Sequence, residues 1–109
     1  MENRFSEYLK FKINENGKVE LNRPALTKKM MNKSFELFMN LYDNHYGTII
    51  KNDNLISIHT GGWSENEALI SEFEQTAWWA RYHKITQKGG HYYFELEDNG
   101  DKKWRVVSI

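Results

Sequence analysis

Two glycine pairs, each close to a histidine, constrain this sequence more than any other local feature. Gly61-Gly62 follows His59-Thr60, and Gly89-Gly90 precedes His91. Glycine has no β-carbon and adopts backbone conformations that other residues avoid, at an entropic cost on folding. Each pair therefore predicts a turn at which another group approaches the backbone closely.

The length of 109 residues is typical of one domain. Hydrophobic residues make up only 39%, but 15% are aromatic, and each aromatic ring can cover ~150–250 Å². We therefore expect a single folded domain over residues 1–109. Its parts are an N-terminal hairpin extension over 1–26, a core over 27–97 and a C-terminal strand over 98–109.

The charge balance and the composition exclude several classes of protein. Fifteen Lys and Arg residues balance fifteen Asp and Glu residues, which argues against nucleic acid as the main partner. The absence of cysteine excludes disulfides and thiol catalysis. No apolar run approaches the ~20 residues of a membrane span, and the N-terminus lacks the apolar core of a secretion signal. We expect a cytoplasmic protein with no membrane partner, and no cofactor is indicated.

Alternating apolar and polar residues predict three hairpins. The first joins residues 8–13 to 18–21 through Asn14–Gly17, and Asn-Gly between alternating runs is a strong turn signal. The second joins residues 48–50 to 55–58 through a polar turn. For the third, residues 76–86 suit either a helix or a strand; we favour a strand, which turns at Gln87–Gly90 into residues 91–96.

Two helices are predicted by apolar residues at helical spacing. The first runs from Thr27, a plausible N-cap, to about His45, with Gly47 as its stop. The second covers about 65–75, where Ser64 and Glu67 have the spacing of a capping box. The predicted fold is α+β, an antiparallel sheet built of hairpins with two helices packed on one face.

The aromatic residues near the C-terminus are candidates for a partner interface. On a strand, the rings of Trp78 and Trp79 would point to opposite faces, so one of them would need cover beyond the main core. The alternative is ordinary packing beneath the N-terminal hairpin. The interface residues predicted on this basis are Trp63, Trp78, Trp79, Arg81, Tyr82 and Tyr92.

The turn before the second helix is a candidate anion site. Free amides at a helix N-terminus attract phosphate, and Trp63 could stack on a base. Against this, Glu65 and Glu67 would repel an anion, and the glycines can serve a sharp turn alone. The residues of this candidate site are Thr60, Gly61, Gly62, Trp63, Ser64, Lys88 and His91.

His59 and His91 are the candidate catalytic residues if the chain is an enzyme. Histidine titrates in the range that suits a general acid or base. The sequence shows no third ligand that would make a metal site, and it shows neither an orienting carboxylate nor a nucleophile. Hydrogen bonding of both rings to the backbone is the alternative interpretation.

Residues 31–96 resemble a group of small, functionally uncharacterised proteins of tailed phages and prophages. The resemblance rests on residues 35–38 with 41–42, on residues 56–64 with 66–67, and on residues 89–92 with Phe94. The segment 60–67 is its specific part. The resemblance implies a phage setting, in the cytoplasm of a bacterial host, and an accessory protein that acts on host machinery.

Three functional hypotheses follow. The first is a non-catalytic protein that binds and interferes with a host factor, with anti-CRISPR or another anti-defence role as its concrete form. The second is a nucleotide-binding protein that sequesters a defence signalling molecule. The third is a small enzyme that uses His59 and His91. The corresponding partners are a host protein or a nucleotide. A second copy of the chain is a further possible partner.

Overall fold

The computed structural model describes residues 3–96, and the predicted C-terminal strand over 98–109 lies outside them. The described chain forms these elements in order: a 3-10 helix (Ser6–Tyr8), β1 (Phe11–Ile13), β2 (Val19–Leu21), a 3-10 helix (Arg23–Leu26), α1 (Lys28–Leu41), β3 (Thr48–Asn52), β4 (Leu55–His59), α2 (Ser64–Phe73), α3 (Ala77–Tyr82), β5 (His83–Gln87) and β6 (His91–Glu95).

The strands form two antiparallel sheets, which confirms the predicted α+β class. β1 and β2 pair only with each other within the described chain, and the larger sheet has the order β3-β4-β6-β5. Side chains alternate between the faces of a strand, so Ile56, Ile58 and Phe94 lie on one face, where they are buried. All three helices pack on that face; the residues they add to its core include Phe38, Phe73 and Trp78. The sequence predicted two helices there.

The three predicted turns are present, and local chemistry explains them. In the first hairpin, the side-chain oxygen of Asn14 accepts hydrogen bonds from the amides of Asn16 and Lys18. Gly17 has a φ of 77°, which favours glycine. The hairpin is anchored at its base, where the amide of Lys10 donates to the carbonyl of Gln75.

The predicted end of α1 and the predicted cap of α2 are wrong. α1 ends at Leu41 because Tyr42 turns into extended backbone, and the Tyr42 ring is buried, with its hydroxyl donating to the carbonyl of His59. α2 has Trp63 at its N-cap and Ser64 as its first residue, with no side-chain cap hydrogen bond. The predicted capping box is therefore not formed.

The strand predicted over 76–86 is also wrong in its first half, because α3 occupies Ala77–Tyr82 and only His83–Gln87 is extended. Thr76 explains the difference. Its hydroxyl oxygen accepts a hydrogen bond from the amide of Trp79, which is the contact of an N-cap. A new helix therefore starts directly after α2 instead of a strand.

Candidate functional site

The two glycine turns meet at one end of the larger sheet. The amide of Thr60 donates to the carbonyl of Gly90 at 3.0 Å, and Thr60 is fully buried. A β-carbon on Gly90 would collide with the side-chain oxygen of Thr60. This contact joins the turn after β4 to the turn before β6, so the residues of the predicted anion site lie in two adjoining turns and at the starts of α2 and β6.

A third loop packs against the same turns. A β-carbon on Gly61 would collide with the carbonyl oxygen of Tyr46, and one on Gly47 would collide with the Tyr42 hydroxyl and the His59 carbonyl. The glycines thus allow the protein's own backbone to approach closely. This contact accounts for them without a ligand.

Several amides of the predicted anion site already have acceptors within the protein. The amide of Gly62 donates to the Thr60 hydroxyl oxygen at 3.3 Å, and that of Trp63 donates to the Thr60 carbonyl at 3.3 Å. Glu65 and Glu67 lie exposed in the first turn of α2. The positive potential of the helix start is therefore partly offset by carboxylates of the same turn, and the nucleotide hypothesis stays a prediction.

Trp63 has a partner that the sequence did not indicate. Its indole stacks on the ring of Tyr46, with centroids 4.4 Å apart and an interplanar angle of 23°. The indole Nε1 is buried and has no hydrogen-bond partner in the part of the chain that the structure describes. One face of the ring is thus occupied by Tyr46, which lies 17 residues earlier in the chain.

His59 and His91 meet on the sheet face opposite the helices. They are paired residues of β4 and β6, and their Nδ1 atoms lie 2.7 Å apart. The second ring nitrogen of His59, Nε2, lies 3.1 Å from the hydroxyl oxygen of Ser57. Burial lowers the pKa of His59, and the nearby His91 lowers it further. Because an N–H of one ring must donate to the other, the pair holds one proton between its two Nδ1 atoms when both rings are neutral.

The same face carries a tyrosine that extends this polar cluster. Tyr93 is 2% exposed, its ring packs edge-on to His59 at 6.1 Å, and its hydroxyl donates to Gln87. Sequence reasoning singled out the two histidines but missed Ser57 and Tyr93. The strand alternation was the available signal, since Ser57, His59, His91 and Tyr93 occupy every second position of two strands.

Three of the six residues of the predicted aromatic interface are buried. Trp78 is 1% exposed and stacks on Phe35 at 4.6 Å, while Trp79 is 8% exposed and stacks on His83 at 4.8 Å. Tyr82 is also buried, and Tyr92 is half-buried against Trp79. The prediction that one indole needs outside cover is thereby corrected. The side chains of successive residues on a helix diverge by about 100°. α1 and α2 cover the side of α3 that carries Trp78, and α2 and the sheet cover the side that carries Trp79.

Four exposed apolar side chains lie together on the N-terminal hairpin. Phe11 pairs with Leu21 and Ile13 pairs with Val19, so the four side chains share one face. They are 51%, 41%, 73% and 69% exposed. We call these four residues the hairpin face. The opposite side of the hairpin is polar and carries the ion pair between Lys12 and Glu20.

Among the residues that the structure describes, no helix has the length and apolar character needed to cross a membrane. Over the same range, no group of three or more histidine or acidic side chains is arranged to hold a metal ion. Comparisons with protein families, with curated protein sequences and with solved structures found no match to this chain.

Proposed function

We propose that this chain is a non-catalytic binding protein that docks on another protein through the hairpin face. The observation that supports this most directly is the exposure of all four apolar side chains of the hairpin face. Contiguous exposed apolar surface is typical of interaction sites. An isolated two-stranded hairpin is also only marginally stable in water. A partner that covers its apolar face would therefore stabilise both the hairpin and the complex.

A host protein is proposed as that partner because the resemblance of residues 31–96 implies a phage setting. The hairpin lies outside those residues, so the resemblance bears on the setting and not on the hairpin face. In this form of the proposal, the chain interferes with a host factor, with an anti-CRISPR or other anti-defence role as the concrete version. The aromatic residues first considered for the interface contribute little to it, since Trp78 and Trp79 are core residues. Arg81 is exposed beside the base of the hairpin and stays within the proposed surface.

The test compares protein capture by two matched variants. The double variant Ile13→Thr/Val19→Thr removes apolar surface while keeping β-branched residues, which suit a strand. Ile50→Thr is the control, because Ile50 is an exposed isoleucine (47%) of β3. Each tagged protein is used to capture proteins from a bacterial lysate, and mass spectrometry quantifies them.

Proteins retained by the wild type and by Ile50→Thr but lost with the double variant would support the proposal. An identical set of captured proteins for all three would overturn it. Sedimentation velocity of the purified wild type is run in parallel. A dimer that the double variant dissociates would assign the hairpin face to a second copy of the chain and would contradict a host partner.

A second candidate function is favoured by one observation, the contact of Ser57 with His59. A hydroxyl on one nitrogen of a histidine and an orienting group on the other is the arrangement of an activated nucleophile. Here Ser57, His59 and His91 take the three positions. A fluorophosphonate probe tests it: labelling of the wild type but not of Ser57→Ala or His59→Gln would support an enzyme, and an unlabelled Ser57 in the wild type would contradict it.

A further inference from the structure

A cleft lies between the base of the hairpin and α3. Its larger part is an open depression with a volume of about 440 Å³. The residues that line it are Lys10, Leu26, Met31, Ala77, Ala80 and Arg81. A smaller part of about 250 Å³ shares Lys10 and Ala80 and extends to Phe11. Phe11 therefore belongs both to the lining of the smaller part and to the hairpin face.

The larger part combines aliphatic walls with two cations. Within residues 3–96, Lys10 and Arg81 form no ion pair, whereas Lys12 pairs with Glu20. Their cationic groups instead lie near aromatic rings: Lys10 Nζ is 5.4 Å from the centroid of Phe11, and Arg81 Cζ is 5.7 Å from that of Tyr82. Both cations therefore keep hydrogen-bond donors available for an anion.

The surrounding sequence has the same sign of charge. Residues 10–29 contain six lysines and arginines and two glutamates, a net charge of +4 in a chain whose formal net charge is zero. Glu74, which is exposed, lines the smaller part of the cleft but not the larger part. An incoming carboxylate is therefore favoured at the larger part.

We propose that this cleft binds an acidic, aliphatic segment of the partner protein, with a carboxylate between Lys10 and Arg81 and an apolar side chain against Leu26, Met31 and the two alanines. The proposal rests on the proposed function and adds the chemistry of the partner. Aliphatic walls favour a peptide over a nucleic acid, because single-stranded nucleic acids are bound mainly by stacking on aromatic faces. A charge-assisted contact would also fix the register of the hairpin face on its partner.

The test uses two blocked tetrapeptides, one alternating leucine with glutamate and the other alternating leucine with glutamine. Each is titrated into ¹⁵N-labelled full-length protein while amide chemical shifts are followed by NMR. We expect the acidic peptide to shift the amides of Lys10, Ala80 and Arg81. The glutamine peptide should bind about tenfold more weakly, as expected for the loss of a charge-assisted hydrogen bond.

Charge-removing variants assign the site. Lys10→Gln and Arg81→Gln should each weaken binding of the acidic peptide about tenfold. Lys12→Gln removes the same charge from a lysine that pairs with Glu20 and does not line the cleft, and it should leave binding unchanged. Thermal melting verifies that each variant is folded. Oligothymidylate is titrated in the same way. The proposal would be overturned by equal binding of the two peptides, by tighter binding of oligothymidylate than of the acidic peptide, or by chemical-shift changes centred on residues 60–64.

The two proposals fail separately. If the hairpin double variant loses its captured proteins but the acidic peptide does not bind the cleft, the interface stands and its acidic chemistry is wrong. If the peptide binds at Lys10 and Arg81 but protein capture does not depend on Ile13 and Val19, the cleft is a peptide site and the hairpin face is not the interface.

Discussion

The amide of Thr60 donates to the carbonyl of Gly90, and this single hydrogen bond connects two glycine turns that lie 30 residues apart. The Thr60 side chain fills the space that a β-carbon on Gly90 would take. Its hydroxyl oxygen also accepts from the amide of Gly62. Intramolecular contacts therefore stabilise this end of the sheet. Gly90 is needed there because a β-carbon would collide with Thr60 and because its φ is positive.

The glycine turns give a matched prediction. Gly62 and Gly90 have φ values of 74° and 84°, but a β-carbon would meet nothing within 4 Å at Gly62 and would collide with Thr60 at Gly90. Gly62→Ala should lower the free energy of unfolding by about 1–2 kcal/mol, the cost of a left-handed conformation for a non-glycine residue. Gly90→Ala should cost about 1–3 kcal/mol more, since the site is overpacked.

Urea denaturation measures both variants and tests the cause. Thr60→Ala removes the obstructing oxygen. In that background, the loss of unfolding free energy caused by Gly90→Ala should fall towards the loss caused by Gly62→Ala. Equal costs for Gly62→Ala and Gly90→Ala in the wild-type background would show that steric contact with Thr60 is unimportant.

Trp78 should behave as a core residue and not as an interface residue. It is 1% exposed and packs against Phe35, Phe73 and Phe94. Trp78→Ala should lower the free energy of unfolding by about 3–5 kcal/mol, because it leaves a cavity as well as losing apolar burial. Chemical denaturation followed by circular dichroism measures this change. Trp78→Phe should lower the free energy of unfolding by only part of that amount. A well-folded Trp78→Ala of wild-type stability would restore the interface hypothesis.

The hairpin face should contribute little to the stability of the free protein. Ile13 is 73% exposed and Ile58 is fully buried, although both lie on strands. Ile13→Thr should change the free energy of unfolding by no more than about 0.5 kcal/mol. Ile58→Thr should cost at least about 2 kcal/mol, because it removes apolar contacts and buries a hydroxyl. Similar costs for the two, measured in urea, would place the hairpin face in contact with the core.

The stability should decrease as the solution is acidified through the titration range of histidine. Burial and the proximity of His91 lower the pKa of His59, and burial lowers that of His83. In the unfolded chain these groups bind protons with a pKa of ~6.5, so the unfolded state takes up more protons than the folded state as the pH falls. The stabilisation is complete above about pH 6.5 and is lost progressively below it.

Thermal melting between pH 8 and pH 5 tests this dependence. His59→Gln should reduce the fall in melting temperature, and His83 should account for part of the remainder. His45→Gln provides the control, because the His45 ring is exposed and contacts Tyr46 at the surface. A melting temperature that does not depend on pH in the wild type would contradict the prediction.

The hairpins could be predicted from the sequence because their turns depend on a few neighbouring residues. Asn14 and Gly17 direct the first turn whatever lies around them. The start of α1 is similarly local, since the Thr27 side chain caps it by accepting from the amide of Met30. The end of α1 is different, because Tyr42 leaves the helix to reach the His59 carbonyl across the fold.

The identity of the candidate sites depended on contacts that the sequence does not contain. The Ser57–His59–His91 cluster requires the register of β4 against β6, and the burial of Trp79 requires His83, Tyr92 and Phe94 to surround it. At residues 76–86, helix and strand patterns were both compatible with the sequence. Thr76 was the local signal for a helix, and its importance was evident only once α2 was seen to end at Phe73.

The sequence by itself determined the α+β class, the three turns and the high aromatic content. The class and the turns depend on local backbone preferences, and the aromatic content is a matter of composition. Only the tertiary structure decided which apolar residues are covered. Burial depends on what packs above a residue, so the same β-branched and aromatic types are interior at Ile58 and Trp78 and exposed at Ile13 and Phe11.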